Sequence, residues 1–195
     1  MARWDPGTEQ RLTRAALDLF GEHGYDDVTV TQIAERAGIT RRTFFRYFPD
    51  KREVLFAGSD RLPVAVAEAV LAADRGGTPL SAVLDALAQV GTELVGHIDH
   101  AAERRAVIGA SPELQERERT KLAAVADAIR LALQQRDVDH GRAKLVAQTA
   151  TLVFQNAFER YIDADGHDDF AACLRTVAES LRDALATGAD CAPRS

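Results

Sequence analysis

Between Arg36 and Arg52 the chain carries six basic side chains against one acidic. Three of them, Arg41, Arg42 and Arg46, are interleaved with the aromatics Phe44, Phe45, Tyr47 and Phe48. A guanidinium is a planar fork of donors that matches a phosphate or the edge of a guanine, and a neighbouring aromatic supplies an apolar or stacking contact. The chemistry open to this cluster is recognition of an anionic, base-bearing polymer rather than bond making. At about 3.6 residues per turn, Phe44 and Phe48 share one helix face with Ile39 nearby. Arg42 and Arg46 share the opposite face, flanked by Thr43 and Phe45, with Tyr47 at its edge. The aromatics anchor and the arginines face outward.

Such a face needs a scaffold, and the flanking residues provide one. Thr29 is placed to cap the amide of Gln32 while the Gln32 side chain reaches back, a reciprocal capping box. Ile33, Ala34 and Ala37 form the buried stripe of the helix it opens. Gly38 ends that helix where a left-handed residue is needed, Thr40 caps the next, and Pro49 closes it after Phe48. A helix of two turns does not hold together alone in water. The preceding segment supplies a support: Leu12, Ala15, Ala16, Leu19 and Phe20 recur at helical spacing and Gly24 closes the run. Downstream, Asp50 and Glu53 bracket Lys51 as a second N-terminal box, which sets an ammonium at a helix start, a position suited to phosphate. The pattern predicts a helix-turn-helix whose second helix enters the DNA major groove.

On these residues the stretch from about Gln10 to Phe56 resembles the DNA-binding domain of TetR-type bacterial transcriptional regulators, in its IAERAG approach, TFFRYF recognition helix and PDK exit. The resemblance implies DNA contacts from Thr31, Arg41, Arg42, Thr43, Phe45, Arg46, Tyr47 and Lys51. Family members often carry smaller or uncharged residues early in the recognition helix. The tandem Arg41 and Arg42 depart from that habit, and either presents a fork to guanine or to phosphate.

The whole chain is acidic, with a formal charge of −6 from 24 Lys and Arg against 30 Asp and Glu. Residues 1–56 balance nine against nine, and the remainder carries 15 basic against 21 acidic. Basic character is thus confined to the reading head, which favours docked, sequence-selective contact over nonspecific coating. Arg3 and Trp4 precede the first helix as a frayed terminus or a minor-groove arm. With 195 residues, 46% of them hydrophobic, the chain has material for a second domain. No apolar run approaches a membrane span and no signal sequence opens the chain; the two cysteines, Cys173 and Cys191, are no disulfide framework. A cytoplasmic protein with no membrane partner is expected.

Beyond the reading head, Ala and Leu dominate. Breaks fall at Arg75–Pro79, Ala110–Pro112, Arg136–Gly141 and Asp163–Asp169. About nine helices follow, the longest starting at Ser111–Pro112 and running to about Gln135. Gly58 and Pro63 predict a kink or restart near residues 59–63. The expected fold is all-α. A three-helix helix-turn-helix domain occupies residues 1–56, a larger helical domain residues 57–186, and a disordered tail residues 187–195.

From Ala143 to Tyr161, Val146, Ala147, Ala150, Val153, Phe154, Ala157, Phe158 and Tyr161 cover a wide arc while Leu145 and Leu152 occupy the opposite side. From Phe170 to Leu185 a second stripe runs through Leu174, Val177 and Leu181. One packing partner does not cover both sides of the first helix. The resemblance implies that the last two helices pair with their symmetry mates, giving a homodimer for a two-fold operator in double-stranded DNA. It also implies a small-molecule effector in the larger domain, which would then bind ligand and dimerise. Candidate wall residues are Leu62, Val66, Leu87, Val90, Leu94, Phe154 and Phe158, with Asn156 as a polar intruder and Arg105, beside Arg104, for an anionic headgroup. The stretch Glu103–Glu118 is similar to the ligand domain of acyl-CoA-like, mycofactocin-type regulators.

Catalysis has no constellation: there is no glycine-rich phosphate loop, nucleophile elbow or cysteine pair at metal spacing. His97, Asp99 and His100 fall near one helix edge, a set that could hold a metal but reads as a solvated helix end, and no metal and no cofactor are expected. The implied function is a repressor released from DNA by its ligand. The alternatives are a small-molecule binding protein with a vestigial helix-turn-helix, and a regulator governed by a protein partner.

Overall fold

The computed structural model describes residues 6–96, 100–164 and 168–187. Among them the chain forms nine α-helices and no strand: α1 (Pro6–His23), α2 (Val30–Arg36), α3 (Arg41–Tyr47), α4 (Leu62–Ala72), α5 (Pro79–Val95), α6 (Ala101–Gly109), α7 (Pro112–Gln135), α8 (His140–Asp163) and α9 (Phe170–Thr187). Short 3-10 helices at Arg52–Phe56 and Ser59–Arg61 separate α3 from α4. The expected restart is therefore present: Gly58 turns the backbone at φ +75° and Pro63 lies in the first turn of α4. Helix α7 is matched in length by α8, each having 24 residues.

The chain divides into two compact units, one of residues 1–60 with 100–121 and the other of residues 61–99 with 122–195. This differs from the continuous domain expected over 57–186. Ile108 and Leu114, both buried, belong to the same core as Leu12, Leu19, Phe20, Phe44 and Phe48. Arg104, also on α6, donates to the Leu55 carbonyl and lies 5.1 Å from the Phe56 ring centroid. Charge and helix breaks do not reveal this packing, because a half-buried arginine and two apolar residues look alike in either unit.

Local signals in the first unit hold as expected. Gly24, at φ +84°, donates to the Phe20 carbonyl and closes α1. Thr29 and Gln32 form the reciprocal box, Gly38 takes φ +71°, and the Thr40 side chain caps the amide of Thr43. One signal is resolved differently: Asp50 Oδ1 accepts from the amides of Arg52 and Glu53 at 2.8 and 3.1 Å, but the Glu53 carboxylate does not reciprocate. Instead it is 5% exposed and accepts from Arg117 Nε at 2.6 Å and Lys121 Nζ at 2.9 Å. A buried carboxylate needs charged partners, and two donors from α7 outcompete a single local amide.

In the second unit, α5 packs against α4, α8 and α9. Its core holds Val66, Val83, Leu87, Ile129, Leu133, Val153, Phe154, Phe170 and Leu174. Gly91 on α5 admits the Phe170 ring so closely that a Cβ there would stand 2.1 Å from it. Phe154 and Tyr161 meet the same ring edge-on, with centroids 5.5 and 6.1 Å away. Arg136 ties the α7–α8 turn to the end of α4 by donating to the carbonyls of Val70 and Asp74. Among the described residues, no helix is long and apolar enough to cross a membrane.

Candidate nucleic-acid interface

The reading head is built from α2 and α3 on the support of α1. Phe44 is fully buried and Phe48 nearly so, their rings 5.7 Å apart over the core shared with Leu12 and Ile33. Fixing these two on one side of α3 sends Arg41, Arg42, Phe45 and Arg46 to the exposed side. Phe45 meets the Phe44 ring edge-on, centroids 5.5 Å apart, yet keeps 44% of its surface in water, a large apolar group on the outer face. Arg42, Thr43, Phe45 and Arg46 together line a shallow depression of about 390 Å³.

The basic footprint is narrower than the six cations of residues 36–52 suggest. Arg36 is bidentate to Glu22 at 3.1 and 2.9 Å, and that hydrogen-bonded guanidinium holds the Glu22 carboxyl below its ordinary range. Arg52 pairs with Asp50 at 2.7 Å. Lys51, implied above as a phosphate contact, donates instead to the carbonyls of Tyr25 and Val28, its Nζ 4.0 Å from the Tyr25 ring centroid. Burial pushes its pKa down. Its ammonium ties the α1–α2 connection to the exit of α3. Three guanidiniums on one helix therefore remain as the outward charge.

Of the other candidate contacts, Thr31 is exposed in the first turn of α2, and Tyr47 is half-buried with Arg46 Cζ 5.4 Å from its ring centroid. Thr43 is half-buried, its hydroxyl 2.9 Å from that of Thr40. Arg3 and Trp4 lie outside the described residues.

A pair of short helices turned about Gly38, with an arginine-lined outer face, has the geometry of a major-groove reader. Residues 12–57 match the model of the family described as bacterial regulatory proteins, tetR family. This stretch is similar to the DNA-binding domain of the tetR family. The match takes in α2, α3 and most of α1, the elements that build the arginine-lined face.

Curated relatives match over stretches of different length. The chain is 39% identical over 83 residues to the HTH-type transcriptional regulator TcmR of Streptomyces glaucescens, and 40% identical over 65 residues to the uncharacterised regulator YdeS of Bacillus subtilis. These stretches cover 43% and 31% of this chain, and it spans only about a third of those relatives' lengths, 37% and 33%. An uncharacterised HTH-type regulator of Mycobacterium tuberculosis, Rv2250c, is 25% identical over 179 residues, covering 89% of this chain and 92% of its own.

Among solved TetR-like folds, the SmeT–triclosan complex aligns with a TM-score of 0.57 at 20% identity, covering 89% of this chain and 91% of SmeT. FadR of Bacillus subtilis in complex with stearoyl-CoA gives 0.56 at 19%, covering 87% and 95%. At these identities the likeness is one of fold.

The expected effector residues do not all converge. Val66, Leu87, Val90 and Phe154 are buried in one core, and Leu62, Leu94 and Phe158 pack against it half-buried. Asn156 stands apart from them: it is exposed and its amide donates to the Leu152 carbonyl at 2.9 Å, a bond within its own helix. Arg105 belongs to the other compact unit, as does the whole Glu103–Glu118 stretch whose pattern resembles a ligand domain. An open groove of about 570 Å³ does lie along α7 and α8, lined by Ala126, Arg130, His140, Lys144, Thr151 and Leu152 among others, none of them an expected wall residue.

Among the described residues, no three His, Cys, Asp or Glu side chains are grouped to hold a metal ion. His97 and Asp99 lie outside those residues, and the His100 ring accepts from Arg14 Nη1 at 2.8 Å.

Proposed function

We propose that this chain is a TetR-type regulator acting in the cytoplasm as a homodimeric repressor that a small molecule releases from a two-fold operator. The observation that carries the DNA-binding half is the outward face of α3, where Arg41, Arg42 and Arg46 surround an exposed Phe45 while the other cations of residues 36–52 are taken up by the fold. Thr31, Thr43 and Tyr47 flank that face as secondary contacts, and Lys51 supports it from beneath. Phosphate contacts from these arginines make affinity fall steeply with salt.

Dimerisation is supported by α8 and α9. Leu145 and Leu152 are 66% and 55% exposed on the outer side of α8, Asn156 follows Leu152 by one turn, and Leu185 of α9 is 72% exposed. Repression is supported by likeness to SmeT, described as the repressor of a multidrug efflux pump in Stenotrophomonas maltophilia. Triclosan, bound by SmeT, is largely apolar, and stearoyl-CoA, bound by FadR, joins a long apolar acyl chain to a charged headgroup. An apolar effector suits the walls that remain here, Leu62, Val66, Leu87, Val90, Leu94, Phe154 and Phe158. On this reading residues 1–56 supply the DNA contacts, and the second unit, residues 61–99 and 122–186, the dimer and the effector site. Complete release requires the effector to favour the non-binding state by about 5.5 kcal/mol.

The test is fluorescence anisotropy with duplexes from the promoter beside the gene. Wild type binds one site as a dimer, and an Arg42→Ala/Arg46→Ala double variant does not. Retained affinity in the double variant contradicts the reading. Fatty acids, their CoA thioesters and biocidal phenols are then added to the preformed complex, and loss of anisotropy with one of them identifies the effector class.

A further inference from the structure

The three arginines of α3 are not equivalent. Arg41 Cζ lies 5.4 Å from the Phe45 ring centroid, and Arg46 Cζ lies 5.4 Å from that of Tyr47. Arg42 is exposed and, among the described residues, has no hydrogen bond, ion pair or ring contact. A guanidinium resting on a ring keeps its charge but has one face and its swing committed. It is a positioned charge, suited to a phosphate. Bidentate reading of a base needs two neighbouring N–H groups aimed along one edge by a side chain free to swing; rings hold Arg41 and Arg46, and none holds Arg42.

Phe45 is the second asymmetry. Within the major groove the base-pair edges offer one apolar group, the thymine methyl, and an exposed phenylalanine on the reading face matches nothing else there. Arg42 and Phe45 stand three residues apart on one helix, so their Cβ atoms are about 5–6 Å apart. With about 3.4 Å of rise per base pair, the two side chains address positions one or two steps apart. Both line the same depression, with Thr43 between them engaged by the Thr40 cap.

We infer that Arg42 and Phe45 form a base-reading pair, Arg42 donating to O6 and N7 of a guanine and Phe45 packing on the methyl of a thymine one or two base pairs away, while Arg41 and Arg46 hold phosphates. The inference rests on α3 entering the major groove as proposed above.

The experiment selects duplexes from a random library with the full-length protein, then measures binding to the selected site with 7-deazaguanine in place of guanine or uracil in place of thymine. The expected half-site holds a guanine and a thymine within two base pairs. For wild type, 7-deazaguanine at that position weakens binding by about 5-fold or more and uracil by about 4-fold. Arg42→Ala loses the response to 7-deazaguanine alone, and Phe45→Ala the response to uracil alone. Arg41→Ala and Arg46→Ala weaken all duplexes alike and lower the salt slope by about one each. All four residues are exposed, and unchanged thermal melting confirms folded variants.

A wild-type protein that selects no sequence overturns groove reading itself. A wild type with a defined site whose base preferences survive Arg42→Ala and Phe45→Ala overturns only this assignment.

Discussion

Lys51 is bonded to Tyr25 twice over: its Nζ donates to the Tyr25 carbonyl at 2.7 Å and lies 4.0 Å from the centroid of the Tyr25 ring. A second hydrogen bond, to the Val28 carbonyl at 3.0 Å, completes a clamp between the α1–α2 connection and the segment after α3. Hydrogen bonds from a charged donor contribute about 1.5–3 kcal/mol each at most, and the clamp is partly solvated. Lys51→Met is expected to lower stability by about 1–3 kcal/mol in urea denaturation. At temperatures where the variant is folded, its operator binding keeps the wild-type salt slope, whereas a lost phosphate contact would reduce that slope by about one.

The other side of that clamp titrates. Burial, reinforced by Glu113, pushes the Tyr25 phenol up to about 12. The unfolded chain loses this proton near pH 10 while the folded chain keeps it, so the folded state binds more protons and stability falls as pH rises from about 10 to 12. The loss attributable to Tyr25 is about 1.4 kcal/mol by pH 11. Comparing urea midpoints of wild type and Tyr25→Phe at pH 9 and pH 11 should show wild type losing more by that amount. Equal losses would mean that Tyr25 is not held neutral.

Glu53 joins two cations of α7, and Lys121 also reaches Asp60 at 2.5 Å. Removing the carboxylate leaves two positive groups close together with half their compensation gone. Glu53→Ala should cost about 3 kcal/mol or more, whereas Asp60→Ala, at an exposed position, costs less than about 1 kcal/mol. A double-mutant cycle between Glu53→Gln and Arg117→Gln measures the coupling, and additivity would contradict the geometry.

Gly91 and Phe170 are fitted with no space for a methyl group between them. Gly91→Ala overpacks the second unit and lowers stability by about 1–3 kcal/mol, despite the better helix propensity of alanine. Phe170→Leu in the Gly91→Ala background restores part of that loss. If Gly91→Ala raises the melting temperature, the contact is looser than described.

Leu145 and Leu152 give α8 an apolar outer edge. Under the proposed dimer, Leu152→Glu buries an unpaired charge at the seam and shifts the protein to monomers, measured by light scattering, with operator affinity falling about 10-fold or more. The folded monomer itself should melt within about 0.5 kcal/mol of wild type, since the side chain is exposed in the single chain. A wild-type protein that is monomeric at micromolar concentration and still binds its operator would contradict the interface.

Short-range chemistry makes much of the reading head legible in the amino-acid order alone. The Thr29–Gln32 box, the left-handed Gly24 and Gly38, the Thr40 cap and the Phe44–Phe48 face depend on residues within a few positions of each other, so their spacing determines the outcome. The same holds for the restart at Gly58–Pro63 and for the extents of α7, α8 and α9.

Pairing across long sequence separations is decided only by the tertiary structure. Lys51 stands at a helix start and looks like a phosphate ligand, yet two carbonyls more than twenty residues upstream accept its hydrogen bonds. Glu53 looks like a capping residue, yet α7 claims it across more than sixty positions. Arg104, Arg105 and the stretch around them resemble part of a ligand domain, but Ile108 and Leu114 are buried with α1. A sequence displays charge and period, and those fix which local elements form. Which of several available cations is consumed by the fold and which is left facing outward depends on desolvation and on partners brought near by packing, and neither is written in spacing.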